Sequence, residues 1–296
     1  MREEYKGYDR ERTEHIEQRN GEVGNTEWTT SIQSACLEVV EDYPDGKRGR
    51  FERYLFNPEI RKELRPCFEL DNWHGLLELL EDWSIIAGVT LISELALNHW
   101  HLFAGVVVYF SAILIIGARM RALADLLHQS AHRTLAKNKV LNFVLGTFPS
   151  GYLVLQSFTG YYFSHIKRHH NYLGDPALDP DYIGLQENGL YGQGLFAANV
   201  RCYLIRIFHP VTTLSYLKYL LHHRILNRQE TYQERLIRIF YLISLLYVLL
   251  GLGWGKLVLF YWIVPFVTTA NWIGAFIELT EHYPLMELGN ENNPQD

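Results

Sequence analysis

The chain has 296 residues, 48% of them hydrophobic and 14% aromatic, which is enough for one large domain or two ordinary ones. A net charge of -6, with no basic patch interleaved with aromatics, excludes a nucleic-acid binder. Cys36, Cys67 and Cys202 stand apart with no CxxC spacing, which excludes a disulfide framework or a thiolate metal site and fits a reducing compartment.

Residues 1–80 are charged, and the opening "MREEYKGYDRERTEHIEQRN" has neither the basic-then-apolar order of a secretory signal nor an Arg-rich transit pattern. A polar cytosolic segment is expected there, partly disordered where "NGEVGNTEWTTS" has little to bury, ahead of a membrane domain over residues 81–296. Four runs are uncharged for long enough to matter: 102–118, 140–164, 239–255 and 257–277. A helix crossing the hydrocarbon layer needs about 20 mostly apolar residues. A fifth run, 83–97, carries Glu94, which lipid tolerates only where the carboxylate meets a neighbouring helix or the interface.

The gaps "NHWH" at 98–101 and "GLGWGK" at 251–256 suit only tight turns between antiparallel helices, so two helical hairpins are expected. The run 140–164 contains Asn142, Gly146, Pro149, Gly151, Gln156 and Gly160, and is expected to be re-entrant or interfacial. Arg119, Arg121, Arg133, Lys137, Lys139, Lys167 and Arg168 gather on one side, whereas the opposite turns offer only Lys256, so the basic side is expected in the cytosol. Residues 198–235 mix basic and apolar residues at helical spacing and read as amphipathic helices on that surface, with His222 and His223 among their surface residues or behind the site.

Five of the thirteen histidines fall between His128 and His170. His128 and His132 are one helical turn apart and can converge on one ion. His165, His169 and His170 form a second group, and Glu278 and His282 a third pair four residues apart at the end of the last apolar run. Imidazole and carboxylate without thiolate suits iron, zinc, manganese or copper, and six such groups are too many for one tetrahedral zinc, so two metals are expected. Asp125, one turn before His128, either holds the second ring nitrogen or is a helix-end charge near Arg121. Asn271 lies deeper in the last run, where a polar side chain needs a partner or a function. "LGDPALDPDY" reads first as a rigid turn over the site, with Asp175, Asp179 and Asp181 as turn residues.

With HxxxH, then HxxxHH, then a histidine after the last apolar run, the sequence resembles the integral-membrane fatty acid desaturase superfamily, which also contains alkane hydroxylases and carotenoid ketolases, over roughly residues 83–284. The resemblance implies an all-α polytopic membrane protein of two transmembrane hairpins, with cytosolic cap helices carrying histidine boxes. It implies a non-haem centre of two iron ions that uses O2 and two electrons, delivered by a carrier such as ferredoxin, to oxidise an unactivated C–H bond of a lipid or fatty acyl substrate. His128, His132, His165, His169, His170 and His282 fall on the family's ligand positions, and Glu278 where the family often has a polar residue near the metal.

Two departures stand out. The second box is usually HxxHH, one residue shorter than here, and the third box, another HxxHH, is missing from a chain that ends 14 residues after His282. A C-terminally truncated sequence is therefore expected. Insertion of a double bond is the leading expectation. Hydroxylation or ketolation of an alkane, sterol or carotenoid is the alternative with the same ligands, and a non-catalytic membrane protein is the alternative from another class.

Overall fold

The computed structural model describes residues 57–64, 69–175, 177–187, 207–277 and 280. Most of the polar segment 1–80, the pair Glu278 and His282, and the chain end after residue 280 lie outside the described residues. Among those described, the chain is all-helical.

The helix α1 spans Pro58–Leu64, α2 His74–His99 and α3 Leu102–Ala131. Only Trp100 and His101 separate α2 from α3, and the His101 ring opens α3 by accepting from the Ala104 amide at 3.3 Å. The buried positions of α2, Gly75, Leu79, Asp82, Ile86, Ser93 and Ala96, recur every three, four or seven residues and form one stripe. Early in α3 burial is equally one-sided, with Leu102, Phe103 and Phe110 more than half exposed. From Met120 onward it extends round the helix, through Leu123, Ala124, Leu126, Leu127, Ser130 and Ala131. The end of α3 that carries histidines is thus the enclosed end.

The run 140–164 is broken into pieces too short to cross a membrane. α4 is Lys139–Thr147, capped by the Asn138 side chain; a 3-10 turn follows at Gly151–Val154; α5 begins at Phe158–Tyr161 and continues as a π-helix over Tyr162–His169. Trp83 and Trp262 stack at 5.5 Å and donate their indole N–H groups to the carbonyls of Pro149 and Leu153, which pins this segment. α6 spans Pro180–Glu187, α7 Pro210–Tyr219 with a π-helical continuation Leu220–Ile225, and α8 Tyr232–Gly251. α9 is the apolar stretch Gly255–Ile277, interrupted by a π-helical turn at Leu259–Ile263 and by Pro265, whose ring removes a backbone donor.

Among the described residues two helices are long and apolar enough to cross a membrane: Leu102–Ala131, with mean hydropathy 2.1, and Gly255–Ile277, with 1.5. α2 and α8 carry charges, and these have partners. Glu94 accepts from Lys256 at 3.0 Å and from the Tyr261 hydroxyl at 2.9 Å, the helix-to-helix contact its position demanded. Glu234 and Arg238 of α8 are buried.

Within the stretch 198–235, read as amphipathic surface helices, several charges are interior. Residues 198–206 lie outside the described part, but Arg224, Glu230 and Glu234 are buried, while His222 is exposed. Arg238 donates to both oxygens of Glu230 (3.1 and 2.9 Å) and to the Ile225 carbonyl, so charges that look like a wet helix face form an interior network. Charge pairing removes the need for solvent, and a pattern based on hydropathy cannot register it.

α3 packs tightly against α9 at Gly117, where an added Cβ would lie 2.1 Å from Thr269 Oγ1 and 2.8 Å from the Ala270 nitrogen. Thr269 Oγ1 donates to the Ile113 carbonyl at 2.6 Å across the same contact. Gly117→Ala should therefore separate the two helices and lower stability by about 1–3 kcal/mol. Thermal unfolding in detergent reads this; an unchanged midpoint would remove the claim that the contact fixes the packing.

Candidate metal centre

The first histidine pair stands on the last turn of α3. His128 and His132 have ring centroids 4.8 Å apart, as spacing four on a helix dictates. This helix end is pinned from the side by Asn142, whose Nδ2 donates to the carbonyl (2.8 Å) and hydroxyl (2.9 Å) of Ser130. Gly146 lets α4 come close, since a Cβ there would lie 2.2 Å from Ser130 Cβ.

The second group depends on the π-helix. A π turn takes one more residue than an α turn, so i and i+5 lie where i and i+4 would otherwise stand. The His170 amide donates to the His165 carbonyl at 2.9 Å, and the two Nε2 atoms face each other at 3.1 Å. The extra residue in HxxxHH is thereby absorbed by the backbone. His169 takes the neighbouring direction, stacked on His165 at 5.0 Å.

The two groups meet. His128 lies 4.7 Å from His165 and His132 lies 5.0 Å from His170, centroid to centroid, and in His128, His132, His165 and His170 one ligand atom each gathers within 4.8 Å of the others. A separation of 3.1 Å between ring nitrogens is what two neighbouring ligands take up at metal–nitrogen bonds of about 2.0–2.1 Å. The donor set therefore fits a metal ion.

Carboxylates back the rings. Nδ1 of His169 donates to Asp179 Oδ1 at 2.9 Å, Nδ1 of His165 to Asp181 Oδ2 at 3.2 Å, and Nδ1 of His128 lies 3.3 Å from Asp125 Oδ1. Such contacts fix the ring and its tautomer and leave Nε2 for an ion. Burial pushes His165 down to about 3 against the opposing hydrogen bond that Nδ1 donates to Asp181, with the Arg224 charge adding to the lowering, so the ring is neutral and its lone pair free of a proton. Burial pushes the Asp181 carboxyl up, but the Arg224 charge and the hydrogen bond from His165 outweigh it and hold the group well below the usual carboxylate range.

Sequence reasoning passed over Asp179 and Asp181 as turn residues. Asp175 behaves as one, accepting the amides of Ala177 and Leu178. Asp179 also caps the turn, accepting from Gly174, Asp181 and Tyr182, while serving His169. Tyr219 and Arg224, both in contact with Asp181, were likewise missed. Their separations from the second box, from 9 residues (His170 to Asp179) to 59 (His165 to Arg224), follow no helical or strand period, and the only available signal was the density of acids immediately after the box. Asp125 lies beside His128, with Gln129 donating to its other oxygen at 3.1 Å. Asn271 is buried with its Nδ2 lacking a hydrogen-bond partner, and no hydrogen bond among the described residues ties it to the histidines.

Asp179→Ala should release His169 and lower metal affinity by about 10–100-fold, read by metal titration of the folded chain; affinity equal to the unsubstituted protein would discount the carboxylate. A pH effect follows from His165. Its folded value lies below the ordinary 6.5, so beneath pH 6.5 the unfolded chain takes up a proton that the folded one refuses. Stability of the metal-free chain is full above that pH and declines as pH falls toward about 3, with depressed Asp181 acting in the same direction. Melting midpoints that stay level across the window would contradict this.

Residues 104–295 match the family model for fatty acid desaturase. The chain is also 37% identical over 262 residues to the dihydrorhizobitoxine desaturase of Bradyrhizobium elkanii, a match covering 83% of this chain and 69% of that protein. The matched span contains all five clustered histidines and the acids behind them, and with that the chain belongs to the fatty acid desaturase family.

Proposed function

We propose that the protein is a membrane non-haem di-iron oxidase that introduces a double bond into a fatty acyl chain, using O2 and two electrons from a carrier such as ferredoxin. The observation that carries this reading is the convergence of His128, His132, His165 and His170, with carboxylates behind three of the site's five rings. His128, His132, His165, His169, His170 and His282 hold the metals in this reading. Asp125, Asp179 and Asp181 orient the rings in this reading, which also assigns supporting roles to Asn271 and Glu278. Iron held there supplies the oxidising power to take hydrogen from an unactivated C–H bond. The protein's own part is to keep the His165 imidazole neutral, aim the Nε2 atoms and fix the depth at which the acyl chain meets them.

That depth is set by α3. Its 30 residues rise about 45 Å, against a hydrocarbon layer about 30 Å thick. A span beginning at Leu102 leaves the hydrocarbon near Arg119 and Arg121, and the next turns carry His128 and His132 beyond it. The pairs α2–α3 and α8–α9 then form the two transmembrane hairpins, with the histidines and the N-terminal segment on the cytosolic side where basic residues collect. Outward apolar side chains such as Leu102, Phe103, Phe240, Ile243 and Tyr247 support a lipid-facing exterior.

A second reading concerns the substrate alone. At 37% identity, the relative's name favours dihydrorhizobitoxine as the molecule desaturated, with the same metals and the same bond change.

Elemental analysis of the detergent-purified chain should give about two irons per polypeptide, lost in His128→Ala. Anaerobic reduction followed by O2 and an acyl substrate should yield a double bond with no added oxygen. Added oxygen would replace desaturation with hydroxylation, product only from dihydrorhizobitoxine would select the second reading, and no iron in the folded protein would end the enzyme reading.

A further inference from the structure

Arg224 is a charged side chain buried to 4% exposure on the π-helical continuation of α7, remote in sequence from both histidine groups. It grips the second histidine helix along its length. Its carbonyl accepts from the hydroxyl of Ser157 at 3.0 Å, the residue that caps α5. Its guanidinium lies 4.5 Å over the Tyr161 ring, and Nη1 donates to Ser164 Oγ and, at 3.5 Å, to the Tyr161 carbonyl. Nη2 donates to Asp181 Oδ1 at 3.2 Å and to the Tyr219 hydroxyl at 2.9 Å, and that hydroxyl itself donates to Asp181 Oδ1.

These contacts divide the Asp181 carboxylate between two tasks. Oδ1 accepts from the Tyr219 hydroxyl and from Nη2 of Arg224, which also reaches Oδ2 at 3.5 Å, and Oδ2 faces Nδ1 of His165 at 3.2 Å. His165, His169 and Asp181 are close enough to form a metal site by themselves. A guanidinium seated against the carboxylate opposes a cation there and favours a supporting role.

We propose that Arg224 is a positioning residue for the metal centre: its fork fixes Asp181 so that Oδ2 of the carboxylate aligns Nδ1 of His165 and aims that ring at the metal. This rests on the metal-site reading above. The planar fork is required, since a lysine supplies the charge at one point and cannot hold Asp181, Ser164 and the Tyr161 carbonyl together.

The test is anaerobic titration of the full-length, detergent-purified chain with Co(II), whose visible absorption reports the ligand field, alongside circular dichroism for folding. The unsubstituted chain is read first, with His128→Ala as the variant lacking a ligand. Arg224→Gln that keeps its helical signal should bind Co(II) about 10–100-fold more weakly with a displaced visible band. Arg224→Lys should recover part of the melting temperature but not the band. Should the glutamine variant fail to fold, Arg224→Lys and Tyr219→Phe carry the test, the latter with a several-fold loss and a smaller displacement. Folded variants with the affinity and band of the unsubstituted chain would overturn the proposal and leave the metal site standing. An unsubstituted chain that binds no Co(II) would remove the metal-site reading and this proposal together.

Discussion

The histidine centre depends on one buried carboxylate, Asp181, held between the His165 imidazole and the Arg224 guanidinium. A carboxylate and a guanidinium removed from water each lose several kcal/mol of solvation, and their mutual attraction offsets this only with good geometry and further hydrogen bonds. Both conditions are met, because Tyr219, Ser164 and the Tyr161 carbonyl take up the remaining donors and acceptors. Buried pairs of this kind rarely add stability over an apolar replacement. Here the pair supplies direction, since it connects α6, α7 and the second histidine helix to one atom of one imidazole.

The same logic extends outward. Glu234 at the start of α8 accepts the amides of Phe158 (2.7 Å) and Thr159 (3.1 Å), so the open end of the second histidine helix is closed by a side chain more than 70 residues away. Those amides would otherwise be unsatisfied donors in a buried place. Next to them Glu230 and Arg238 tie the start of α8 to the end of the π-helical segment that bears Arg224. A polar layer of paired charges thus underlies the histidines, while α3 and α9 meet through small side chains at Gly117 and Thr269. Each half uses the packing its surroundings allow: hydrogen bonds and ion pairs around the site, close backbone approach in the apolar part.

α3 unites the two halves. It is at once the most apolar helix and the one that carries the first histidine pair, so the depth of the site against the apolar span is fixed by a single rigid element. Broken segments, α4 to α5, then bring the second pair to it without having to traverse the same thickness.

Sequence by itself determined the all-helical character, the breaks at Trp100–His101 and after Gly251, and the two histidine groups, because these follow from local period, turn length and residue chemistry. It also anticipated the partnered Glu94. Tertiary structure alone decided that Asp179 and Asp181 serve imidazoles as well as turns, and that Arg224, Glu230 and Glu234 form an interior network, not a wet surface. It also decided that a π turn accommodates the extra residue of the second box. The reason is physical: a helix repeats every 3.6 residues and writes its neighbours into the sequence, whereas the acids and the arginine reach the histidines from other elements. Such contacts carry no period, and only the folded chain reveals which charges have found one another.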